Sequence, residues 1–465
     1  MPSYYPSHGF NKGENMKRIS KFASLLTLTA LVTAGFTACS NDGSTSYIPI
    51  TSQEKIVTQG IATEANLKRC YAEDKDSKLI VFLLDKNLWN VAANSTAYVR
   101  GSFNSWTNED TFKMKEADTY YYCAVPFSKL TALGNSGHPE YKFYVNDSYL
   151  DVYDKAFVPE PYCFHTSDNN LIIIYTGEDI EDIKKCSATA GTWRKLSDWD
   201  LTNDTEVEKF SNFRKVPGTT NVYRSWHPYK VKTHKFSDKT KYVRATEPKR
   251  EEKIISLYEK YGIKTDICLS ENETTNMETF PVGTDEATPT NSGNTYTESI
   301  PAYYQALLSA NNVLHVTYTN EASEKKTMEY KYIYQSSYNE KYLNDALKCI
   351  IDFVKENHPA PYDVHCRLGN DRTGYYCAVI SGLCGASWAE IAEDYQKSNY
   401  TYLGEYRDQR LLKQVFEKQF GIADMTKLSA GELKTKMYTY YTTNSNYQIS
   451  KADLDALVAK FTASN

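Results

Sequence analysis

Cys366 stands in company that suits chemistry: His365 precedes it, and Arg367, Leu368, Gly369, Asn370, Asp371, Arg372, Thr373 and Gly374 follow. The approach, Ala360 to Asp363, reads as extended, and the apolar run Tyr375 to Leu383 reads as a buried helix. A loop between a strand and a helix N-terminus aims backbone N–H groups and the positive end of the helix dipole at one point, which makes an anion site. The dipole and Arg372 favour a thiolate at the bottom of that loop, and thiolate is the reactive form of cysteine. Arg372, six residues on, can curl back and offer a planar fork of donors to two oxygens of a phosphate. A sulfur nucleophile beneath an oxyanion cradle suits phosphoryl transfer through a cysteinyl-phosphate. A thiol buried only for packing would not call for Arg367, Asn370, Asp371 and Arg372 around it.

His365-Cys366-x5-Arg372-Thr373-Gly374 resembles the signature of cysteine-dependent protein tyrosine and dual-specificity phosphatases. With Asp371 before Arg372 it is similar to a bacterial tyrosine phosphatase family whose members also accept phosphoinositides. Asn212-Phe213-Arg214 with Tyr223-Arg224-Ser225, the strand Gly262 to Leu269, and Asp394 to Asn399 resemble other stretches of that family. The resemblance implies Cys366 as nucleophile, Arg372 as phosphate clamp, and Arg367, Leu368, Gly369 and Asn370 as the phosphate-binding loop. Thr373 is expected to hydrogen-bond the thiolate and help it leave. His365 is expected to support the loop backbone rather than transfer protons. The relatives carry Lys where this chain has Asn370, which argues against polyphosphorylated lipids as substrates.

Cleaving a phosphate ester at neutral pH is helped by a proton delivered to the leaving oxygen. Thr319 to Ser337, where tyrosine phosphatases usually carry an Asp, holds only Glu321, Glu324 and Glu329. By resemblance the acid candidate is Asp371; the alternative, that it only braces the loop through hydrogen bonds or an Arg, stays open at this point.

The elements that must position these residues occupy the C-terminal half. Alternating apolar strands and amphipathic helices predict a doubly wound α/β domain with a mostly parallel central sheet over 201–420. Expected elements are a helix over 249–261 ending at Gly262, a strand over 264–269, helices over 301–310 and 338–356, and a capping box at Ser387 opening a helix to Lys397. The polar stretch Pro281 to Ser299 reads as a mobile loop, and 421–465 as a helical tail outside the domain.

Upstream, the chain reads as several parts. Residues 1–38 hold an upstream extension and a secretion signal: Lys17, Arg18 and Lys21, an apolar stretch from Phe22 to Ala34, and a lipobox-like Phe36 to Cys39. Cys39 is the expected lipid attachment site, which implies export and anchoring to a bacterial cell envelope, the outer membrane in particular. A polar tether over 39–77 follows. From 78 to 178, short strands with Asn, Asp, Gly and Pro between them predict an all-β sandwich. Gly101 to Trp106 and Tyr141 to Asp147 resemble early-set, immunoglobulin-like modules related to glycogen-binding domains, which implies a possible glycan partner. Trp106 could stack on a sugar, but a role capping the core is the expectation. Residues 179–200 are the linker.

Formal charge −5 and the lack of a basic aromatic stripe exclude nucleic acid. No Cys/His metal spacing occurs, so no metal and no cofactor are expected. Pairing among Cys70, Cys123, Cys163 and Cys186 is open, while Cys268, Cys349, Cys377 and Cys384 read as core thiols. The function that follows is an anchored phosphatase acting on a phosphorylated protein or a small phosphomonoester. The alternatives are a glycan-binding lipoprotein with an inactive phosphatase scaffold and an inositol-phosphate phosphatase.

Overall fold

The computed structural model describes residues 60–464 except 75–77, 133–138, 151–169, 172–194, 230–233, 236–240, 271–278, 285–290, 298, 335–336, 402–406 and 445–447. The secretion signal, Cys39, Cys163 and Cys186 lie outside the described residues.

The strand-rich region holds two antiparallel sheets. One pairs Tyr71–Asp74, Leu79–Asp85, Tyr120–Pro126 and Lys115–Glu116; the other pairs Ala97–Gly101 with Glu140–Val145 and Ser148–Tyr149. Both contribute to one core of Ile80, Phe82, Val99, Tyr121, Phe143 and their neighbours. Ala97–Gly101 alternates buried and half-buried, as a strand with one wet face should. Leu79–Asp85 is buried on both faces, because Leu67 of the short helix Glu64–Arg69 and Ile61 cover Val81 and Leu83. The stretch expected to be a tether to residue 77 therefore already carries this helix and the strand Tyr71–Asp74. A polar composition hid the few apolar residues that dock it. Cys70 and Cys123 are buried. Trp106 does not cap the core: Phe103 packs there, stacked on Phe112 with centroids 4.9 Å apart, while Trp106 lies against Tyr149 outside it.

In the C-terminal region the elements run α1 (Asp204–Phe210), β1 (Arg214–Lys215), β2 (Val222–Ser225), α2 (Thr246–Tyr261), β3 (Thr265–Cys268), α3 (Ala302–Ser309), β4 (Val313–His315), α4 (Glu340–Lys355), β5 (Tyr362–His365), α5 (Asp371–Leu383), α6 (Trp388–Lys397), α7 (Gln409–Phe420), α8 (Ala430–Thr443) and α9 (Lys451–Thr462). The sheet order is β4-β3-β5-β2-β1, parallel except for β1. One face is covered by α2 and α3 through Ile254, Leu257, Tyr258, Tyr304 and Leu307, and the other by α4 and α5 through Ile350, Ile351, Val379 and Ile380. β5, in the middle, is buried at every position. Its C-terminal end, flanked by those of β2 and β3, is where an open α/β sheet binds its ligand.

Local signals place the helices. Gly262, at φ +63°, ends α2; Asn339 caps α4; Ser387 and Glu390 form the capping box of α6. Two expectations are corrected. The stretch Pro281 to Ser299 carries a hairpin of Thr279–Gly283 with Asn291–Thr297, which pairs with Lys241–Arg244 and packs Phe280 and Tyr296 on Val243. The helical tail beyond 420 is not an appendage: Leu433, Met437, Tyr441, Leu454, Leu457 and Phe461 belong to the same core as α4 and α5. Side chains of that size each stabilise by about 1.5–3 kcal/mol when buried, so α8 and α9 help hold the domain together.

Candidate active site

The peptide from His365 to Asn370 leaves β5 and turns into α5, and each of its carbonyls faces outward to a donor. The amide of Leu269 donates to His365 O (2.7 Å) and His227 N to Arg367 O (3.3 Å). His365 Nδ1 donates to Cys366 O at 3.1 Å. Asn212 Nδ2 donates to Leu368 O and Gly369 O, 3.1 Å from each, and Arg224 Nη2 to Gly369 O at 2.7 Å. Gly374 N donates to Asn370 O, opening the helix. In a peptide plane, an outward carbonyl means an inward N–H. Among the described residues, no acceptor meets the amides of Leu368 to Arg372. A turn of such amides at a helix N-terminus is an anion cradle.

Gly369 makes the turn possible. Its φ is +70°, and a Cβ there would lie 2.3 Å from Ser225 O and 2.7 Å from Asn212 Nδ2, so only glycine lets the loop lie flush on β2. At Gly374 a Cβ would meet the Tyr395 ring at 2.7 Å, so α5 and α6 approach closely there.

Cys366 is buried, 3% exposed, so a reagent reaches it only through the mouth of the loop. Arg372 is half-buried, and its Nη1 donates to Leu269 O (3.2 Å) and Met328 O (3.1 Å). That ties the guanidinium to the end of β3 and to the segment that carries Glu329. Thr373 Oγ1 and Asn370 Oδ1 are buried without a hydrogen-bond partner among the described residues, which leaves the Thr373 hydroxyl free to serve a sulfur or an anion. Arg367 points its guanidinium toward Glu247 (3.9 Å). Asp371 is engaged by Arg407 through both oxygens, at 2.6 and 3.2 Å. Tyr334 OH donates to Asp371 O at 3.3 Å.

His365 has both ring nitrogens against acceptors, Cys366 O and, at 3.0 Å, Asp266 Oδ2. Two acceptors call for two N–H groups. Burial alone would lower its pKa, but Asp266 and then Cys268 hold it well above the usual imidazole range. A doubly protonated ring is a structural donor, not a base.

Sequence reasoning left several residues of the site without a role: Asn212, Arg224, Asp394, Asp266 and Arg407. Their shared signal is a charge or amide inside a stretch that folding buries, as in Val222-Tyr223-Arg224-Ser225. Such a group demands a partner, but the partners lie 36 to 170 residues away in sequence.

A family model described as the tyrosine phosphatase family matches residues 205–462, more than half of the chain and inclusive of all of α9. No curated protein matches the sequence. With the loop, the sheet and the match in hand, the chain belongs to the tyrosine phosphatase family.

Proposed function

We propose that the protein is a phosphatase that hydrolyses phosphomonoesters, phosphotyrosine or a smaller phosphate, through a cysteinyl-phosphate. The observation that carries this reading is the loop around Cys366, with its carbonyls held outward and the amides of Leu368 to Arg372 without internal acceptors. Phosphate bound there is caught by those amides and by Arg372. Cys366 Sγ attacks phosphorus, the P–O ester bond breaks, and the leaving oxygen takes a proton. Water then attacks the phosphocysteine, the S–P bond breaks, and phosphate leaves as the thiolate returns to the Thr373 hydroxyl. Asp371, which the structure pairs with Arg407, is the candidate proton donor.

The test is phosphate release from phosphopeptides, phosphosugars, inositol phosphates and aryl phosphates, with Cys366→Ser as control. Release abolished by the substitution, with phosphate trapped on Cys366 in acid-quenched wild type, is the expected result. Turnover that survives the substitution would sink the mechanism, and binding to α-glucans without turnover would favour the inactive scaffold. A lipid on Cys39 would hold this activity at the bacterial envelope. Loss of the protein from the membrane fraction in Cys39→Ser is the expected outcome, and unchanged partitioning would remove the anchor from the proposal.

A further inference from the structure

We infer that Asn212 and Arg224 are positioning residues that aim the amides of the phosphate loop, and that they hold Gly369 and Asn370 as oxyanion donors. This rests on the phosphatase reading above. Gly369 N–H shares a peptide plane with Leu368 C=O, and Asn370 N–H shares one with Gly369 C=O. Each amide can face the cradle only while its carbonyl faces away, and a buried carbonyl must find a donor. Asn212 supplies that donor to both planes, and Arg224 supplies a second, charge-assisted one to the second plane.

Neither group is free to rotate. Asn212 Oδ1 accepts from Arg214 Nη1 and from Ser398 Oγ (3.3 Å), so a flipped amide would set donor against donor. Arg224 is fully buried and is held through Nη1 on Asp394 Oδ2 at 2.5 Å. Arg214 Nε binds the other oxygen of the same carboxylate at 2.6 Å. Burial alone would raise the carboxyl of Asp394, yet Arg214 and Arg224 hold it below the usual range, so it stays a counter-ion. A cation pulling on Gly369 C=O also polarises that peptide and makes Asn370 N–H a stronger donor. The two residues therefore shape how the loop receives negative charge, beyond keeping it folded.

The experiment compares alkylation of Cys366 by iodoacetate, which carries a carboxylate, with that by neutral iodoacetamide. The full chain is used, and modification is read at Cys366 by peptide mass spectrometry. Asn212→Gly tolerates the left-handed backbone at this position (φ +52°) and removes the donor; Arg224→Lys keeps the charge and loses the fork. Thermal unfolding and circular dichroism establish that each variant is folded, and Asn212→Gly carries the test alone if Arg224→Lys is not. The expected result is a fall of about tenfold or more in the iodoacetate-to-iodoacetamide ratio. The iodoacetamide rate stays within about twofold, and kcat on an aryl phosphate falls about 10–100-fold. A ratio unchanged from wild type, or both rates falling together, overturns the inference while leaving the phosphatase reading intact. A wild-type enzyme with no preference for iodoacetate and no phosphate release overturns both.

Discussion

Two buried polar networks flank the phosphate loop, and they neutralise charge in different ways. On the β2 and α6 side, Arg214 and Arg224 share the carboxylate of Asp394. The charges there are permanent, and a guanidinium does not titrate in the working range of a protein. On the β3 and α2 side the network is made of acids, a histidine, phenols, the Ser225 hydroxyl and the Cys268 thiol. Asp266 accepts from Tyr258 OH (2.6 Å), Tyr304 OH (2.7 Å) and His365 Nε2. Asp363 Oδ2 lies 2.8 Å from Tyr258 OH and 2.7 Å from Ser225 Oγ. Each of those hydroxyls has one proton and a second acceptor at hand: Asp266 for Tyr258, and Trp226 O, at 2.6 Å, for Ser225. Counting protons, Asp363 is the group with one to give. Burial pushes its carboxyl up to about 7, consistent with a neutral acid. One side of the loop is thus built to ignore pH, and the other to register it.

The largest effect that could break this comparison is removal of the shared counter-ion. Asp394→Ala leaves the fully buried Arg224 and the half-buried Arg214 facing each other, and stranding one partner of a buried ion pair costs about 3–5 kcal/mol. Urea unfolding should show that loss with little change between pH 5 and 8. A loss under about 1 kcal/mol, the size of a surface pair, would mean that the lattice is not tightly balanced.

The second effect is smaller at any one pH and shows in a slope. Asp363 holds a proton in the folded state up to about 7, whereas an unfolded Asp releases it near 3.9. Its contribution is therefore fully present below about pH 4 and is lost as pH rises to about 7, by at most about 1.4 kcal/mol per pH unit. His365, also raised, loses its contribution above about 6.5, and the lowered Asp266 and Asp394 lose theirs only in acid. The groups that face Asp363 are Tyr258 on α2, Asp266 on β3, Ser225 on β2, His365 on its own strand and Cys377 on α5. Asn keeps a donor toward Ser225 and Tyr258, so Asp363→Asn should flatten stability between pH 4 and 7. An identical slope in the variant would show that Asp363 carries no extra proton.

These two networks mark where sequence reading stopped. Cys366, Arg372 and the strand-loop-helix around them were legible because spacing within nine residues encodes the geometry. Gly262 and Ser387 announced helix ends because capping is local. The aim of the amides was not legible, since it depends on Asn212 and Arg224, contacts 145–157 residues away in sequence. Nor was the tail: Leu433, Met437 and Tyr441 have helical spacing, but nothing in spacing says which core receives them. The hairpin of Thr279–Gly283 with Asn291–Thr297 evades apolar patterning, because its strands pair through their backbones and little more than Phe280 and Tyr296 docks it on Val243.

The smallest effect concerns a third charge pair, Asp371 with Arg407, at the start of α5. Its side chains keep 14% and 11% of their exposure, against none for Arg224, so solvent screens it more. Arg407→Met should cost about 1 kcal/mol or less in urea unfolding, well below the loss in Asp394→Ala. Its value lies in kinetics, because a carboxylate that accepts from Arg407 through both oxygens must loosen that grip to take up and deliver a proton. If Asp371 delivers the proton, freeing it should raise turnover on alkyl phosphates, whose poor leaving groups need protonation, relative to an activated aryl phosphate. Asp371→Asn should lower that same ratio. If Asp371 only braces the loop through Arg407, both variants slow the two substrates alike. Equal slowing would turn attention to Glu329, next to Met328, whose carbonyl holds Arg372; Glu329→Gln would then be the variant whose alkyl-to-aryl ratio falls.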